Sequence, residues 1–260
     1  MPDTSFEETA LLDIAGPVAT ITLNRPDSFN SINLAIARRL EQIAAQISAD
    51  DSIRVVVIEG RGRAFCGGGD IQVFAAAMDN IGPVVSELLH HFHQFIATLR
   101  RMPKIVIASV HGAAAGAGMS MAFIADLCVA ASDVKFTAAY NRLGVSPDGG
   151  GTVGLTETIG AHRALQFLLA EDSITAQQAY ERGLVTKVVP PDQLKQATRE
   201  LALRLAKNSA EAIRSTKALV HAAPRTPLEQ QLEAEAAGIA TCMQTATFRD
   251  AVTTFLSKKA

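Results

Sequence analysis

Two stretches of the 260-residue chain place glycines and small residues where an apolar run ends: Arg63-Ala-Phe-Cys-Gly-Gly-Gly-Asp70 and His111-Gly-Ala-Ala-Ala-Gly-Ala-Gly118. Each reads as a turn from a strand into a helix, and the first N–H groups of a helix have no partner within it. Such groups bind an anion, and small side chains let that anion approach the backbone closely. Either turn alone can serve only tight turning and helix packing. Two side by side would make an oxyanion hole, a pair of fixed donors for charge that develops on a carbonyl oxygen. The third feature is Asp148, in Ser146-Pro-Asp-Gly-Gly-Gly-Thr152. A carboxylate can move protons, yet Pro, Asp and Gly in succession also make a plain turn in which the aspartate bonds its own backbone.

Other chemistries find less footing. The sequence has no G-x-x-x-x-G-K-[ST] phosphate loop, no G-x-S-x-G elbow and no H-E-x-x-H zinc helix. Gly116-Ala-Gly118 leaves the dinucleotide pattern G-x-G-x-x-G incomplete. Glu87 and His90 supply one E-x-x-H where a di-iron bundle needs two. The His90, His91, His93 cluster reads as a solvated helix face, because no cysteine or spaced carboxylate set completes a metal site. With 24 Lys and Arg against 26 Asp and Glu, the net charge is −2, so there is no basic excess for nucleic acid. Three scattered cysteines (Cys66, Cys128 and Cys242) form no disulfide framework, which points to a reducing compartment, the cytoplasm. The polar, acidic residues 1–10 resemble neither a secretory signal nor a transit peptide. Residues 105–124 carry no formal charge over a membrane-spanning length, but His111 and three glycines interrupt them. A buried strand, a turn and a small-residue helix are expected there.

The elements that must hold these groups follow from periodicity. Residues 9–15 and 18–23 flank Gly16-Pro17 as a hairpin. Ile32, Ile36, Leu40, Ile43 and Ile47 recur at helical spacing. Residues 54–59 and 105–110 are short continuous apolar runs, as expected of strands covered on both faces. Helical sequence follows each glycine turn, over 71–100 and to about residue 125, and 127–130 and 134–136 read as further strands. Thr175 and Gln178 form a capping box, with Gly183 closing that short helix before a strand over 184–189. Beyond Pro190 nearly everything is helical, in segments near 191–207, 209–222, 227–241 and 246–257. The expected fold is α/β: a parallel-sheet core over 1–190 and a helical C-terminal region over 191–260.

The ordered set of motifs resembles the crotonase superfamily, which includes enoyl-CoA hydratases and isomerases. The resemblance rests on Ile21-Thr-Leu-Asn-Arg-Pro-Asp-Ser-Phe-Asn-Ser-Ile-Asn33, on Ala64-Phe-Cys-Gly-Gly-Gly-Asp-Ile71, on the Val110-His-Gly turn, on 146–152 and on 175–188, with the helical C-terminus. It covers essentially the whole chain and implies a spiral core of ββα repeats. It also implies acyl-CoA thioester substrates whose enolate-like oxygen is held by the backbone N–H groups of Gly69 and Ala117. Asp27, Phe29, Ala64, Gly67, Gly68, Asp70 and Ile71 would line the coenzyme A channel, and Ala113, Tyr140 and Pro147 are further substrate-binding candidates. Asp70 can equally cap the helix after it. Met119, Met121 and Phe74 are candidates for an acyl pocket.

Hydratases of this superfamily use two glutamates to activate water, and the corresponding positions here are Ser120 and Tyr140. The resemblance therefore favours an isomerase branch in which Asp148 alone shifts a double bond from the 3- to the 2-position. A carboxylate among Leu143, Val145 and Pro147 would be partly desolvated, which suits a base. Hydration through other groups, aryl-CoA dehalogenation with Asp148 as nucleophile and His90 or His93 assisting, and non-catalytic acyl-CoA binding are the alternatives. No metal or redox cofactor is implied, coenzyme A arriving with the substrate. Homotrimers or dimers of trimers are implied, with Phe255 and Lys258 covering the nucleotide, and neither nucleic-acid nor membrane partners are expected.

Overall fold

The hairpin is strand β1 (Ala10–Ala15) paired antiparallel with β2 (Val18–Leu23). From β2 onward the sheet becomes parallel, through β3 (Val55–Gly60), β4 (Ile105–Val110), β6 (Leu127–Ala131) and β9 (Lys187–Val189), in the order β1-β2-β3-β4-β6-β9. Val55 to Ile58 are all buried, which explains a strand without polar alternation. This is a computed structural model, and it describes residues 6–257.

Helix α1 (Leu34–Ala49) begins at Asn33, whose side-chain oxygen accepts the Ile36 N–H at 3.1 Å. It buries Ile36, Leu40, Ile43 and Ile47, the periodic set, against the sheet and against α3 (Ile81–Arg101). Helix α3 answers with Leu88, Phe92, Phe95, Ile96 and Leu99. Each such large apolar side chain contributes about 1.5–3 kcal/mol on burial. The helical stretch after the first turn is not continuous: α2 (Ile71–Ala76) ends, a single tight turn over Met78–Asn80 intervenes, and α3 follows.

The second glycine turn holds its own short strand, β5 (Ala113–Ala115), before α4 (Ala117–Ile124). All eight residues of α4 are buried, and none of its faces is polar enough to meet water. Strand β5 pairs with β7 (Lys135–Thr137), which pairs in turn with β8 (Ser173–Thr175) as a second, three-stranded sheet. The apolar run 105–124 is thus strand, turn and buried helix, and no helix among the described residues is long and apolar enough to cross a membrane.

The sequence pattern does not reveal α5 (Gly151–Ala170), which starts on glycines and has a non-helical break at Gly160. The capping box is present at the start of α6 (Ala176–Glu181): Thr175 Oγ1 accepts the Gln178 N–H, and Gln178 Oε1 accepts the Thr175 N–H. The strand expected over 184–189 is shorter, because 184–186 serve as the approach to β9. Helix α7 (Leu194–Leu205) lies against β3, β4 and β6, and α8 (Ala210–Ala222) inserts Lys217 into the core. Helices α9 (Leu228–Met243) and α10 (Ala246–Ser257) extend beyond it, and α10 buries none of its residues.

Candidate active site

The two glycine turns run side by side as a short ladder. Phe65 N–H donates to His111 O at 3.0 Å, Cys66 N–H to Ala113 O at 3.2 Å, and Ala115 N–H to Cys66 O at 3.0 Å. On its other edge the first turn pairs with the segment after β2: Gly67 N–H donates to Phe29 O, Ile32 N–H to Gly68 O, and Asp70 N–H to Ile32 O, all within 2.7–3.0 Å. Glycine is required where these layers touch. Gly68 has φ +99°, and a Cβ there would lie 2.9 Å from Ala115 O. A Cβ on Gly118 would lie 2.3 Å from Cys66 O.

The ladder and its neighbours engage the amides of Phe65, Cys66, Gly67, Asp70, Ala115 and Gly116, but not those of Gly69 and Ala117. Neither donates to a protein acceptor among the described residues. Ala117 opens α4, so its N–H is one of the helix's orphan donors and lies at the positive end of the helix. Each of the two neighbouring turns thus presents a backbone donor that is not spent on the fold. Phe74 borders one of them, its ring reaching within 2.8 Å of where a Gly69 Cβ would stand.

The segment around Phe29 is locked by a side chain that sequence reasoning did not single out. Asn30 is fully buried; its Oδ1 accepts the Arg25 N–H, and its Nδ2 donates to Arg61 O and Ala64 O. The only signal was an asparagine inside an Asn-rich motif. Asp70 makes no side-chain cap on α2; its carboxylate pairs with Arg25 at 2.9 Å and is mostly buried. Phe29 is 43% exposed and stacks under the Arg63 guanidinium, 4.0 Å from its ring centroid. Ile71, Gly67, Ala113 and Asp27 are exposed around the same turns, whereas Ala64 is buried.

Asp148 lies in the loop before α5, and its setting differs from the expectation. Leu143 and Val145 are 57% and 55% exposed, so they do not close over the carboxylate. Tyr140 does the contacting instead: its hydroxyl donates to Asp148 Oδ1 at 2.6 Å and meets Ser120 Oγ at 2.8 Å. No donor among the described residues reaches Asp148 Oδ2. Burial, with the Asp148 charge beside it, pushes the Tyr140 hydroxyl far above the ordinary tyrosine range, so it remains a donor. The row adjoins the second turn, since a Cβ on Gly116 would stand 4.0 Å from the Tyr140 ring. Burial pushes the Cys66 thiol up to about 12, and Asp148 adds to that, so Cys66 is an inert packing group.

The remaining candidates separate. Pro147 is half-buried next to Asp148. His93 Nε2 accepts the Gly149 N–H at 3.4 Å, whereas His90 is exposed and meets the ring of His91 edge-on. No three His, Cys, Asp or Glu side chains among the described residues are placed to hold a metal ion. Met119 and Met121 are fully buried in the core. Phe255 lies on α10, whose main packing partner is α9, and Lys258 falls outside the described residues. A cleft of about 520 Å³ opens at the end of the main sheet, lined by Thr22, Glu59, Arg61, His111 and Lys195. It borders the outer flanks of the turns, and neither the two open amides nor Asp148 line it.

The family described as Enoyl-CoA hydratase/isomerase matches residues 13–260. The chain is 32% identical over 255 residues to the 1,2-epoxyphenylacetyl-CoA isomerase of Escherichia coli (strain K12), covering 97% of each. It is 36% identical over 251 residues to a probable enoyl-CoA hydratase of Rhodobacter capsulatus, covering 96% of each. The crystal structure of an enoyl-CoA hydratase from Polaromonas sp. JS666 is similar with a TM-score of 0.91 at 31% identity, covering 96% of this chain and 97% of that one.

Proposed function

The chain belongs to the enoyl-CoA hydratase/isomerase family of the crotonase superfamily, which acts on acyl-CoA thioesters, and from that premise we propose that it is an isomerase converting 3-enoyl-CoA to 2-enoyl-CoA with Asp148 as its acid/base. The observation that carries this reading is the Asp148 carboxylate itself, with one oxygen engaged by Tyr140 and the other open, in a row that adjoins the second glycine turn. Water addition in hydratases relies on two glutamates, and Ser120 and Tyr140 stand at those positions. Neither is a base near neutral pH, and Tyr140 is held protonated. A relative named as an isomerase over nearly the full length fits the same reading.

In this mechanism the thioester oxygen accepts hydrogen bonds from Gly69 and Ala117. Their dipoles are fixed by the ladder, so no reorganisation is needed as charge grows on that oxygen, and each such donor is worth about 3–4 kcal/mol in the transition state. Polarising the carbonyl acidifies C2–H. Asp148 removes that proton, the electrons delocalise through the dienolate onto the thioester oxygen, and the same carboxyl returns a proton to C4. The reaction is redox-neutral and its charge is met by backbone donors, so it calls for no metal or redox cofactor. Phe29, Ala64, Gly67, Gly68, Asp70, Ile71 and Ala113 would flank the pantetheine, Tyr140 and Pro147 the acyl group, and Asp27 the nucleotide end.

We assign residues 1–190 to catalysis and 191–260 to assembly and cover. Leu232, Ile239, Phe248, Val252 and Leu256 leave large apolar surface exposed on α9 and α10, which a trimer or dimer of trimers would bury. A sedimentation mass near the 27.5 kDa of one chain would overturn that assembly. The reaction itself is tested by offering 3-enoyl-, 2-enoyl- and 4-chlorobenzoyl-CoA to wild type and to Asp148→Asn. Isomerisation lost in the variant, with acyl-CoA binding kept, supports the reading. Turnover that survives the substitution overturns it, and chloride release would move the assignment to Asp148 as nucleophile.

A further inference from the structure

Ser120, Tyr140 and Asp148 form one row of hydrogen bonds, 2.8 Å and 2.6 Å long, at the mouth of the second glycine turn. Resting on the isomerase reading above, we propose that Tyr140 is a positioning residue that occupies Oδ1 of Asp148 and thereby reserves Oδ2 as the single oxygen that carries the migrating proton.

The row is built into the fold. Ser120 is fully buried within α4, and Tyr140 is 8% exposed, so little water competes for either hydroxyl. Ala139, immediately before Tyr140, has φ +63°, a left-handed backbone that a non-glycine residue adopts only when its surroundings impose it. On the other side, a Cβ on Gly151 would lie 2.2 Å from Ser120 Oγ, so the loop bearing Asp148 packs directly over the serine. The 2.6 Å contact has the length of a charge-assisted bond from a neutral hydroxyl to a carboxylate.

The consequence for the reaction is specific. Tyr140 keeps its own proton, so the row is a fixed support and no proton travels along it. With Oδ1 occupied, the C2–H bond breaks as the Oδ2–H bond forms, and the electron pair moves through the dienolate to the thioester oxygen. The Oδ2–H bond then breaks as C4–H forms, the pair returns from the oxygen, and the tyrosine O–H is intact throughout. One oxygen facing the substrate favours returning the substrate's own proton over one from solvent.

The test is isomerisation of 3-enoyl-CoA in deuterated water by wild type, Tyr140→Phe and Ser120→Ala, reading kcat, KM and deuterium at C4 by mass spectrometry. Tyr140→Phe is expected to lower kcat about 10- to 100-fold, the scale of one charge-assisted hydrogen bond. Its KM should stay within about twofold, as for an interaction made in the transition state. Deuterium at C4 should rise, because both oxygens can then carry and exchange the proton. Wild-type kcat and labelling in Tyr140→Phe would overturn the proposal. Should that variant not fold, Ser120→Ala, which frees the tyrosine from its rear partner, must show increased label, and unchanged label overturns the proposal. A wild type that isomerises through Asp148 while both variants behave normally defeats the role of Tyr140 alone. A wild type that does not isomerise defeats the underlying reading.

Discussion

Asp126 and Asp148 are two partly buried aspartates with opposite fates. Asp126 is saturated: Oδ2 accepts Lys217 Nζ at 2.7 Å and the Val106 N–H at 2.8 Å, and Oδ1 faces His221 Nε2 at 3.3 Å. Lys217 is saturated as well, with its ammonium also bonded to the carbonyls of Leu99 and Lys104. That cluster ties α8 to β4 and to the end of α3, and nothing is left over for a ligand. Asp148 has one oxygen bonded to Tyr140 and the other without a protein donor among the described residues, in a row that adjoins the second glycine turn. A carboxylate whose bonds are complete holds the fold, and one left half-complete is equipped for chemistry.

The largest expected effects separate the two directly. Asp148→Asn is expected to lower kcat for the proposed isomerisation by roughly 10²- to 10⁴-fold, the usual scale for removing an acid/base group. Its urea midpoint should match wild type; a large drop in stability would place Asp148 with Asp126. Lys217→Met should do the reverse. It strands a buried aspartate, at a cost of about 3–5 kcal/mol in denaturant unfolding. The folded fraction should keep its kcat.

Gly118→Ala probes the layer between the two regions. Its Cβ would meet Cys66 O, so the turns must part and the Ala117 amide must move. Displacing a catalytic donor by about 1 Å costs on the order of 10²-fold in turnover. Unaltered turnover in this variant would dissociate the ladder from the oxyanion role.

A smaller effect concerns pH. Burial by itself would raise the Asp126 carboxyl, but hydrogen bonding to His221 and the charge and hydrogen bond of Lys217, with the Val106 N–H, more than offset it and hold it below the ordinary aspartate value. The unfolded state therefore binds the proton more tightly. The stability from Asp126 is complete above about pH 4, near the free-aspartate value, and is lost as pH falls through the lower folded value. The stability gap between wild type and Asp126→Asn should narrow as the solution is acidified below about pH 4. A gap that stays constant would contradict the assignment. Least of all, iodoacetamide should label half-buried Cys242 well before Cys66 and Cys128, whose thiols burial pushes up to about 12.

Local pattern carried much of this architecture. The Val-rich run of β3, the Ile and Leu periodicity of α1, the Thr175 capping box and both glycine turns depend on neighbours in sequence, and all are where the pattern puts them. Helix α5 was hidden because glycines at 150, 151, 154 and 160 remove the propensity and periodicity by which a helix is read. The finer chemistry of the site was hidden for another reason. The Tyr140–Asp148 bond depends on a left-handed Ala139 and a tight turn over Asn141–Leu143. Arg25 and Asp70 meet across 45 positions, and Asp126 and Lys217 across 91. Pairings of that kind are made by tertiary packing, which the sequence specifies without displaying.

The central claim is that a single half-engaged carboxylate, working with two open amides, moves a proton and does not add water. The most direct measurement is the product ratio from wild-type protein given 3-enoyl-CoA and 2-enoyl-CoA in parallel, separated by liquid chromatography and mass spectrometry. The account predicts interconversion of the two enoyl isomers with no 3-hydroxyacyl-CoA above the uncatalysed background. Formation of 3-hydroxyacyl-CoA at a rate matching or exceeding isomerisation would contradict it, and would mean that water is activated by groups other than those at Ser120 and Tyr140.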